Sequence, residues 1–153
     1  MVDVESRQKN CGASGVASSI GILMIDDDSD DIEVFKEALN AFGLAYTLET
    51  FLDWEDASSH LDIVDDLPDV IVLDLNMPRT HGHEALAFLK ANVKLRHIPV
   101  IVLSVSRSVM DNEKSLLLGA VAFFSKPQRE EHWHAIVKAI IAAVRQSQPE
   151  KIS

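Results

Sequence analysis

Short aliphatic runs alternate along the chain with longer segments that carry apolar residues at helical spacing. An aliphatic run bounded by turn-forming residues is typical of a strand that is buried on both faces of a parallel sheet. On this pattern we predict strands at residues 21–25, 45–51, 69–74, 97–104 and 121–124.

The segments between these runs show the periodicity of amphipathic helices. In the first segment, apolar residues from Ile32 to Phe42 recur at helical spacing, Asp28 or Ser29 can cap the amino end, and Gly43 can end the helix. Further helices are predicted at residues 54–61, 83–91, 111–118 and 128–145.

Strand and helix alternate five times, which predicts an α/β fold. We expect a doubly wound, five-stranded parallel sheet of order 2-1-3-4-5, with helices on both faces. The pattern occupies residues 20–146. Residues 1–19 are polar and rich in Gly and Ser, which predicts a disordered N-terminal tail, and residues 147–153 are expected to form a C-terminal tail.

Composition narrows the class of protein. The 153 residues, 47% of them hydrophobic, suit one globular domain. A net charge of −10 argues against nucleic acid or an anionic membrane as a partner, since both favour basic surfaces. Cys11 is the one cysteine, which excludes an internal disulfide and, with no signal-peptide pattern, favours a cytoplasmic location.

Polar side chains stand where the predicted strands end. Asp26 and Asp27 follow the first strand, Asp74 closes the third, Ser104 closes the fourth and Lys126 follows the fifth. In a doubly wound sheet the carboxyl ends of the strands meet at one edge, which is where ligands bind. We therefore expect Asp26 or Asp27 to lie close to Asp74, with Ser104 and Lys126 on the far side of Asp74.

Such a set of side chains has a specific chemistry. Gathered carboxylates repel one another unless a cation or a proton joins them, and oxygen ligands favour a divalent cation. A carboxylate that attacks phosphorus needs its own charge and the charge of the donor held together, which a divalent cation and an ammonium group accomplish. A hydroxyl can then bond a phosphoryl oxygen, and the expected product is an aspartyl phosphate.

With these motifs the chain resembles the receiver domain of two-component response regulators, which has a flavodoxin-like fold. The residues that carry the resemblance are Ile22–Asp28, Asp69–Pro78 with Gly82, Ile98–Ser104, and Gly119–Pro127. The resemblance spans residues 20–146. In the first helix, Asp31-Ile32 and Glu37-Ala38-Leu39 make the chain similar to single-domain regulators that are paired with bacterial phytochrome kinases.

The resemblance implies an acceptor and a metal site. Asp74 would accept phosphate from a phosphohistidine. Asp27 would bind Mg²⁺, or Mn²⁺ in its place, directly, and Asp26 would bind it chiefly through water. Asn76 would offer its backbone carbonyl to the metal, so that its side chain matters for hydrolysis rather than for ligation.

The resemblance also implies a switch. Lys126 would pair with Asp74 and then with the phosphoryl group. The peptide bond between Lys126 and Pro127 would be cis. Ser104 would move to bond the phosphate while Phe123 changes rotamer behind it. Two departures from the family pattern are Val105, where a smaller residue is usual, and Phe123, which lacks a hydroxyl and so can act by packing alone.

Two other readings compete for the acidic residues. Asp26, Asp28, Asp30 and Glu37 occupy the first, third, fifth and twelfth positions of a calcium-binding loop, but Asp31 stands at the sixth, where glycine permits the sharp turn. An aspartate-nucleophile phosphatase would need a second acid two residues after its nucleophile. Here that position, two residues after Asp74, holds Asn76.

The favoured hypothesis is a single-domain response regulator that switches protein–protein interaction. Its partner would be a sensor histidine kinase or a phosphotransfer protein, and it would catalyse only its own phosphorylation and dephosphorylation. A phosphate sink without an output partner stays open. A smooth patch on the last helix permits close helix approach, so homodimerisation through the fourth helix, fifth strand and fifth helix is a further expectation. The patch consists of Ala135, Ala139, Ala142 and Ala143.

Overall fold

Strands and helices alternate through the residues that the computed structural model describes, which are 7–11, 19–77, 81–105 and 108–151. The strands are β1 Arg7–Cys11, β2 Ile20–Ile25, β3 Ala45–Phe51, β4 Val70–Asp74, β5 Val100–Ser104 and β6 Ala122–Ser125. The helices are α1 Ser29–Ala41, α2 Trp54–Ile63, α3 Gly82–Ala91, α4 Val109–Leu117 and α5 Glu130–Ser147, followed by a 3₁₀ turn at Pro149–Lys151.

The strands form one sheet of order β1-β3-β2-β4-β5-β6. The five strands from β2 to β6 are parallel, and their order is the predicted 2-1-3-4-5, which confirms the fold class. The register aligns Ile25 with both Phe51 and Leu73, and Ser104 with Ser125. All five parallel strands therefore end at the same edge of the sheet.

Strand β1 differs from the expectation for the N-terminal tail. It pairs antiparallel with β3, with Arg7 opposite Glu49 and Cys11 opposite Ala45. The prediction of disorder is therefore wrong for these five residues, while residues 1–6 and 12–18 lie outside the described part of the chain. An unpaired strand edge offers backbone N–H and C=O groups to any extended segment. Polar composition alone therefore does not exclude a strand there.

The sheet separates two hydrophobic layers. On one face, α1 and α5 pack over the sheet, and the rings of Phe35 and Trp133 lie 5.9 Å apart between these helices. On the other face, α2 and α3 cover Leu23, Ile71 and Val102. No helix of the described residues is long and apolar enough to cross a membrane.

Helix α4 is held less firmly than the other helices. Ser115 is its one buried residue among those described, and the Ser115 Oγ lies 3.2 Å from the Nε2 atom of His83 on α3. Met110 and Leu117 on its outer side are 78% and 88% exposed. Since few buried apolar contacts make a segment easier to displace, α4 is the helix whose position is most readily changed.

Several element ends lie one to three residues from the predicted ones, including the start of α4 and the end of α5. Helix α4 begins at Val109, two residues early, because the Ser108 Oγ accepts a hydrogen bond from the backbone N–H of Asp111. Helix α5 continues to Ser147, and the side chain of Gln148 donates a 2.8 Å hydrogen bond to Asp69. The chain after residue 146 thus begins by packing back against the amino end of the sheet.

Candidate functional site

The end of β2 presents two of the predicted acids in different surroundings. The backbone N–H of Asp26 donates to the carbonyl of Phe51, and its Oδ1 accepts from the backbone N–H of Asp28 at 2.9 Å. Asp28 in turn caps α1 through a 2.9 Å bond from the N–H of Asp30. This turn buries the carboxylate of Asp26 completely and leaves Asp27 exposed.

Asp74 closes β4 beside these residues, with 1% of its surface exposed. Its Oδ1 accepts a 3.0 Å hydrogen bond from the backbone N–H of Asn76, and its Oδ2 accepts one from the Nζ atom of Lys126, also at 3.0 Å. Both carboxylate oxygens are therefore positioned by the protein.

The three acids form a cluster with the geometry of a cation site. One carboxylate oxygen from each of Asp26, Asp27 and Asp74 lies within 4.8 Å of the others. The Oδ2 atom of Asp26 is buried and accepts no hydrogen bond, although the Nζ atom of Lys126 lies 3.2 Å away. A buried carboxylate oxygen without a donor beside two more carboxylates suits an oxygen-liganded divalent cation.

Lys126 connects the acids at the end of β6. Its backbone N–H donates to the carbonyl of Ser104 at 2.7 Å, and its Nζ atom donates to Asp31 at 2.8 Å, Asp74 at 3.0 Å and Asp26 at 3.3 Å. Burial by itself lowers the pKa of Lys126. The carboxylates outweigh burial, so this pKa lies above its ordinary value and the ammonium stays charged.

Asp31 is a partner of Lys126 that was not predicted from the sequence. A signal was present in the helical spacing. Asp31 precedes the buried Phe35 by four residues and Ala38 by seven, so it extends the inward-facing stripe of α1 toward the site. A charged residue on an otherwise apolar stripe calls for a partner of opposite charge.

Ser104 is fully buried and bonds Asn76 rather than the acids. Its Oγ donates to the Oδ1 atom of Asn76 at 2.7 Å, and the backbone N–H of Val105 donates to the same oxygen at 2.9 Å. Phe123 is partly buried against the hydrophobic layer under α2 and α3. The predicted movements of Ser104 and Phe123 and the metal-ligating carbonyl of Asn76 stay predictions.

One expectation from the sequence and one competing interpretation of the acidic residues are wrong. The described residues contain no cis peptide bond, so the Lys126–Pro127 bond is trans, the form that is ordinarily preferred even before proline. The calcium loop also fails, because β2 runs up to Ile25 and α1 begins at Ser29. A strand thus stands where a calcium-binding loop needs a helix.

The chain matches the family model of the response regulator receiver domain over residues 22–138. It belongs to this family. The cyanobacterial phytochrome response regulator RcpA, solved in its phosphorylated form, is 31% identical, with a TM-score of 0.73 over 80% of this chain and 91% of RcpA. The Mn²⁺-bound response regulator Rcp1 is 26% identical, with a TM-score of 0.71 over 88% of this chain and 96% of Rcp1.

Longer regulators contain the same domain. CpxR of Escherichia coli (strain K12), a transcriptional regulatory protein, is 31% identical over 120 residues, which are 78% of this chain and 48% of CpxR. The chain therefore spans about half the length of that relative. Receiver domains are signalling domains that bind Mg²⁺ and interact with histidine kinases or phosphotransfer proteins. The expectation of Mg²⁺ at the acidic cluster is confirmed.

The pKa of Asp26 departs strongly from its ordinary value in this receiver domain. Burial raises the pKa of Asp26 from 3.8 to about 7. The negative charges of Asp74 and Asp31 act in the same direction, while the N–H of Asp28 and the charge of Lys126 oppose it. A raised folded-state pKa means that the neutral carboxyl favours folding, and this contribution is lost as the pH rises from about 4 through about 7.

Metal-free protein should therefore lose stability between pH 5 and pH 8, by up to about 1.4 kcal/mol per pH unit from Asp26 alone. Mg²⁺ binds the charged carboxylate, so its affinity should rise over the same range. Thermal melts in Mg²⁺ and in a chelator at both pH values measure this. Asp26→Asn should flatten the metal-free pH profile, and Asp27→Ala should remove the Mg²⁺-induced shift. A Mg²⁺-induced shift of equal size at both pH values would contradict the assignment.

Proposed function

We propose that Asp74 accepts a phosphoryl group from a sensor histidine kinase or phosphotransfer protein, and that this modification switches a protein–protein interaction. The observation that carries the proposal is the environment of Asp74. Its carboxylate is buried, bonded to an ammonium group at 3.0 Å, and within 4.8 Å of two further carboxylates. A carboxylate nucleophile that attacks an anionic phosphoryl group needs positive charge beside it, which the ammonium group and a cation bound by the carboxylates would supply.

Each group in the site has a part in the transfer. One oxygen of Asp74 forms a bond to phosphorus as the bond from phosphorus to the donor histidine nitrogen breaks, and the histidine keeps that electron pair. Asp26, Asp27 and Asp74 would hold a divalent cation, which would offset the negative charge of the carboxylates and of the incoming phosphoryl group. The ammonium of Lys126, which bonds the carboxylate of Asp74 before the transfer, bonds the phosphoryl group after it.

The similarity to RcpA supports a phytochrome-type kinase as the donor. RcpA is a phytochrome response regulator that was solved phosphorylated, and the alignment covers 91% of its length.

The switch begins at Ser104. In this structure its hydroxyl bonds the side chain of Asn76, which also holds the backbone of Val105. A phosphoryl oxygen on Asp74 is a stronger acceptor than an amide oxygen because it carries charge. We expect the hydroxyl to leave Asn76 for the phosphoryl group. The segment from Val105 leads directly into α4, whose one buried residue is Ser115, so this helix would respond first.

The output surface in this proposal is the face of α4, β6 and α5. Its exposed apolar side chains are Val109, Met110, Leu116, Leu117 and Val121. Clustered exposed apolar residues mark interaction sites. The alanine patch contributes only in part, because Ala135 and Ala142 are exposed while Ala139 packs against the core and Ala143 is partly buried. A second copy of the chain or a target protein would bind on this face.

Beryllium trifluoride, a phosphoryl mimic, tests the proposal in one sample. With Mg²⁺ it should bind once per chain, detected by ¹⁹F NMR, and either component alone should not give this signal. Analytical ultracentrifugation of the same sample should show a higher dimer fraction, with a coupling of about 1–3 kcal/mol between the sites. Leu117→Glu on the exposed surface should remove the dimer and leave the ¹⁹F signal.

Two outcomes would contradict this account. Absence of Mg²⁺-dependent binding would contradict phosphoryl acceptance itself. Binding with an unchanged sedimentation coefficient, together with an unchanged affinity for the cognate kinase, would contradict the switch and leave a phosphate sink.

A further inference from the structure

The shortest hydrogen bond of the Lys126 ammonium group is made outside the acidic cluster. Its Nζ atom lies 2.8 Å from the Oδ2 atom of Asp31, compared with 3.0 Å to Asp74 and 3.3 Å to the Oδ1 atom of Asp26. The side chain of Asp31 is 23% exposed and that of Lys126 is 12% exposed, so water screens this pair only in part. Asp31 lies on α1 and is therefore fixed by a helix rather than by a loop.

The ammonium group already has as many carboxylate partners as it has protons. An ammonium carries three protons, and here Asp26, Asp31 and Asp74 each receive one hydrogen bond. A phosphoryl group on Asp74 would bring new anionic oxygens that need the same donor. Lys126 can bond them fully only by giving up one of its present partners.

We propose that Asp31 is a positioning residue that competes with the phosphoryl group for Lys126. In the unmodified protein it draws the ammonium away from the metal cluster, which leaves Asp26 and Asp74 more negative and so favours the cation. After modification of Asp74, Asp31 still bonds the Lys126 ammonium, which is the donor that the phosphoryl group requires. Asp31 thereby stabilises the metal-bound, unmodified state relative to the modified state. This inference rests on the proposed function of Asp74.

Competition predicts changes of opposite sign, which a merely structural role does not. In Asp31→Asn the ammonium should shift toward Asp26 and Asp74 and repel the cation. The Mg²⁺ affinity should then fall about fivefold, the size expected for one partly exposed ion pair. The affinity for beryllium trifluoride at saturating Mg²⁺ should rise about fivefold, because the mimic gains the donor and loses a nearby negative charge.

Asp30→Asn is the matched control. Asp30 is the neighbouring acid in the first turn of α1, is exposed, and its substitution changes the net charge and the helix-end charge equally. Asp31→Glu keeps the charge and moves it by one methylene group, and it should restore most of the wild-type Mg²⁺ affinity. Mg²⁺ binding is measured by titration calorimetry, and beryllium trifluoride binding by ¹⁹F NMR.

The outcomes separate this inference from the proposed function. Failure of the wild-type protein to bind beryllium trifluoride with Mg²⁺ contradicts the function of Asp74. Binding by the wild type, with Asp31→Asn indistinguishable from Asp30→Asn, overturns the competition. A loss of both affinities in Asp31→Asn also overturns it, since that result means that Asp31 supports the structure of the site. If Asp31→Asn does not fold, Asp31→Gln and its control Asp30→Gln take the place of the two asparagine variants, and equal affinities of these two variants for both probes overturn the competition.

Discussion

Lys126→Ala should bind beryllium trifluoride about 10- to 100-fold more weakly than the wild-type protein, the range expected for losing a hydrogen bond to a charged group. The reason is that Lys126 is the ammonium that contacts Asp74 at 3.0 Å and would pass to the phosphoryl oxygens. Mg²⁺ should bind more tightly in the same variant, because Asp26, Asp31 and Asp74 lose the positive charge of the Lys126 ammonium.

The same substitution should reduce the free energy of unfolding in the absence of metal. Removing one partner of a largely buried ion pair costs about 3–5 kcal/mol, and saturating Mg²⁺ should recover much of that loss. Chemical denaturation with and without Mg²⁺ measures both values. Lys126→Arg is the control that keeps the charge, and it should restore metal-free stability better than it restores binding of the mimic, since guanidinium and ammonium groups differ in shape. An unchanged affinity for the mimic in Lys126→Ala would contradict the role of the lysine.

Asp74→Asn should abolish covalent loading by a small phosphoryl donor. An amide oxygen is neutral and is not a nucleophile of useful strength, and the variant has lost one of three acids in the metal cluster. Folding should persist, because Lys126 keeps Asp26 and Asp31 as partners. Asp62→Asn, which changes an exposed acid on α2, is the control and should load like the wild-type protein. Intact-protein mass spectrometry reads out both variants.

The fold and the main site were predictable from the sequence for a common reason. Buried parallel strands are recognisable in a sequence as aliphatic runs, and their carboxyl ends lie at one edge of the sheet. Asp26, Asp74 and Lys126 end such runs, so their assembly follows from the order of the strands alone. The clustering of Asp27 with Asp26 and Asp74 follows in the same way.

What the sequence did not reveal depends on choices between alternatives of similar energy. The hydroxyl of Ser104 can rotate toward different acceptors, and the sequence does not show that it bonds Asn76 in this state. The bond before Pro127 is trans, and the two isomers differ by roughly 0.5–1 kcal/mol before any tertiary contact acts. Strand β1 depends on an available edge of β3, which no local pattern in residues 7–11 encodes.

Site mapping of the phosphoryl group tests the central claim most directly. Wild-type protein is incubated with acetyl phosphate, with Mg²⁺ or with a chelator, and then reduced with borohydride to trap the acyl phosphate before peptide mass spectrometry. We expect one modified residue, Asp74, in the Mg²⁺ sample alone. Modification at another residue, or modification that persists in Asp74→Asn, would contradict it.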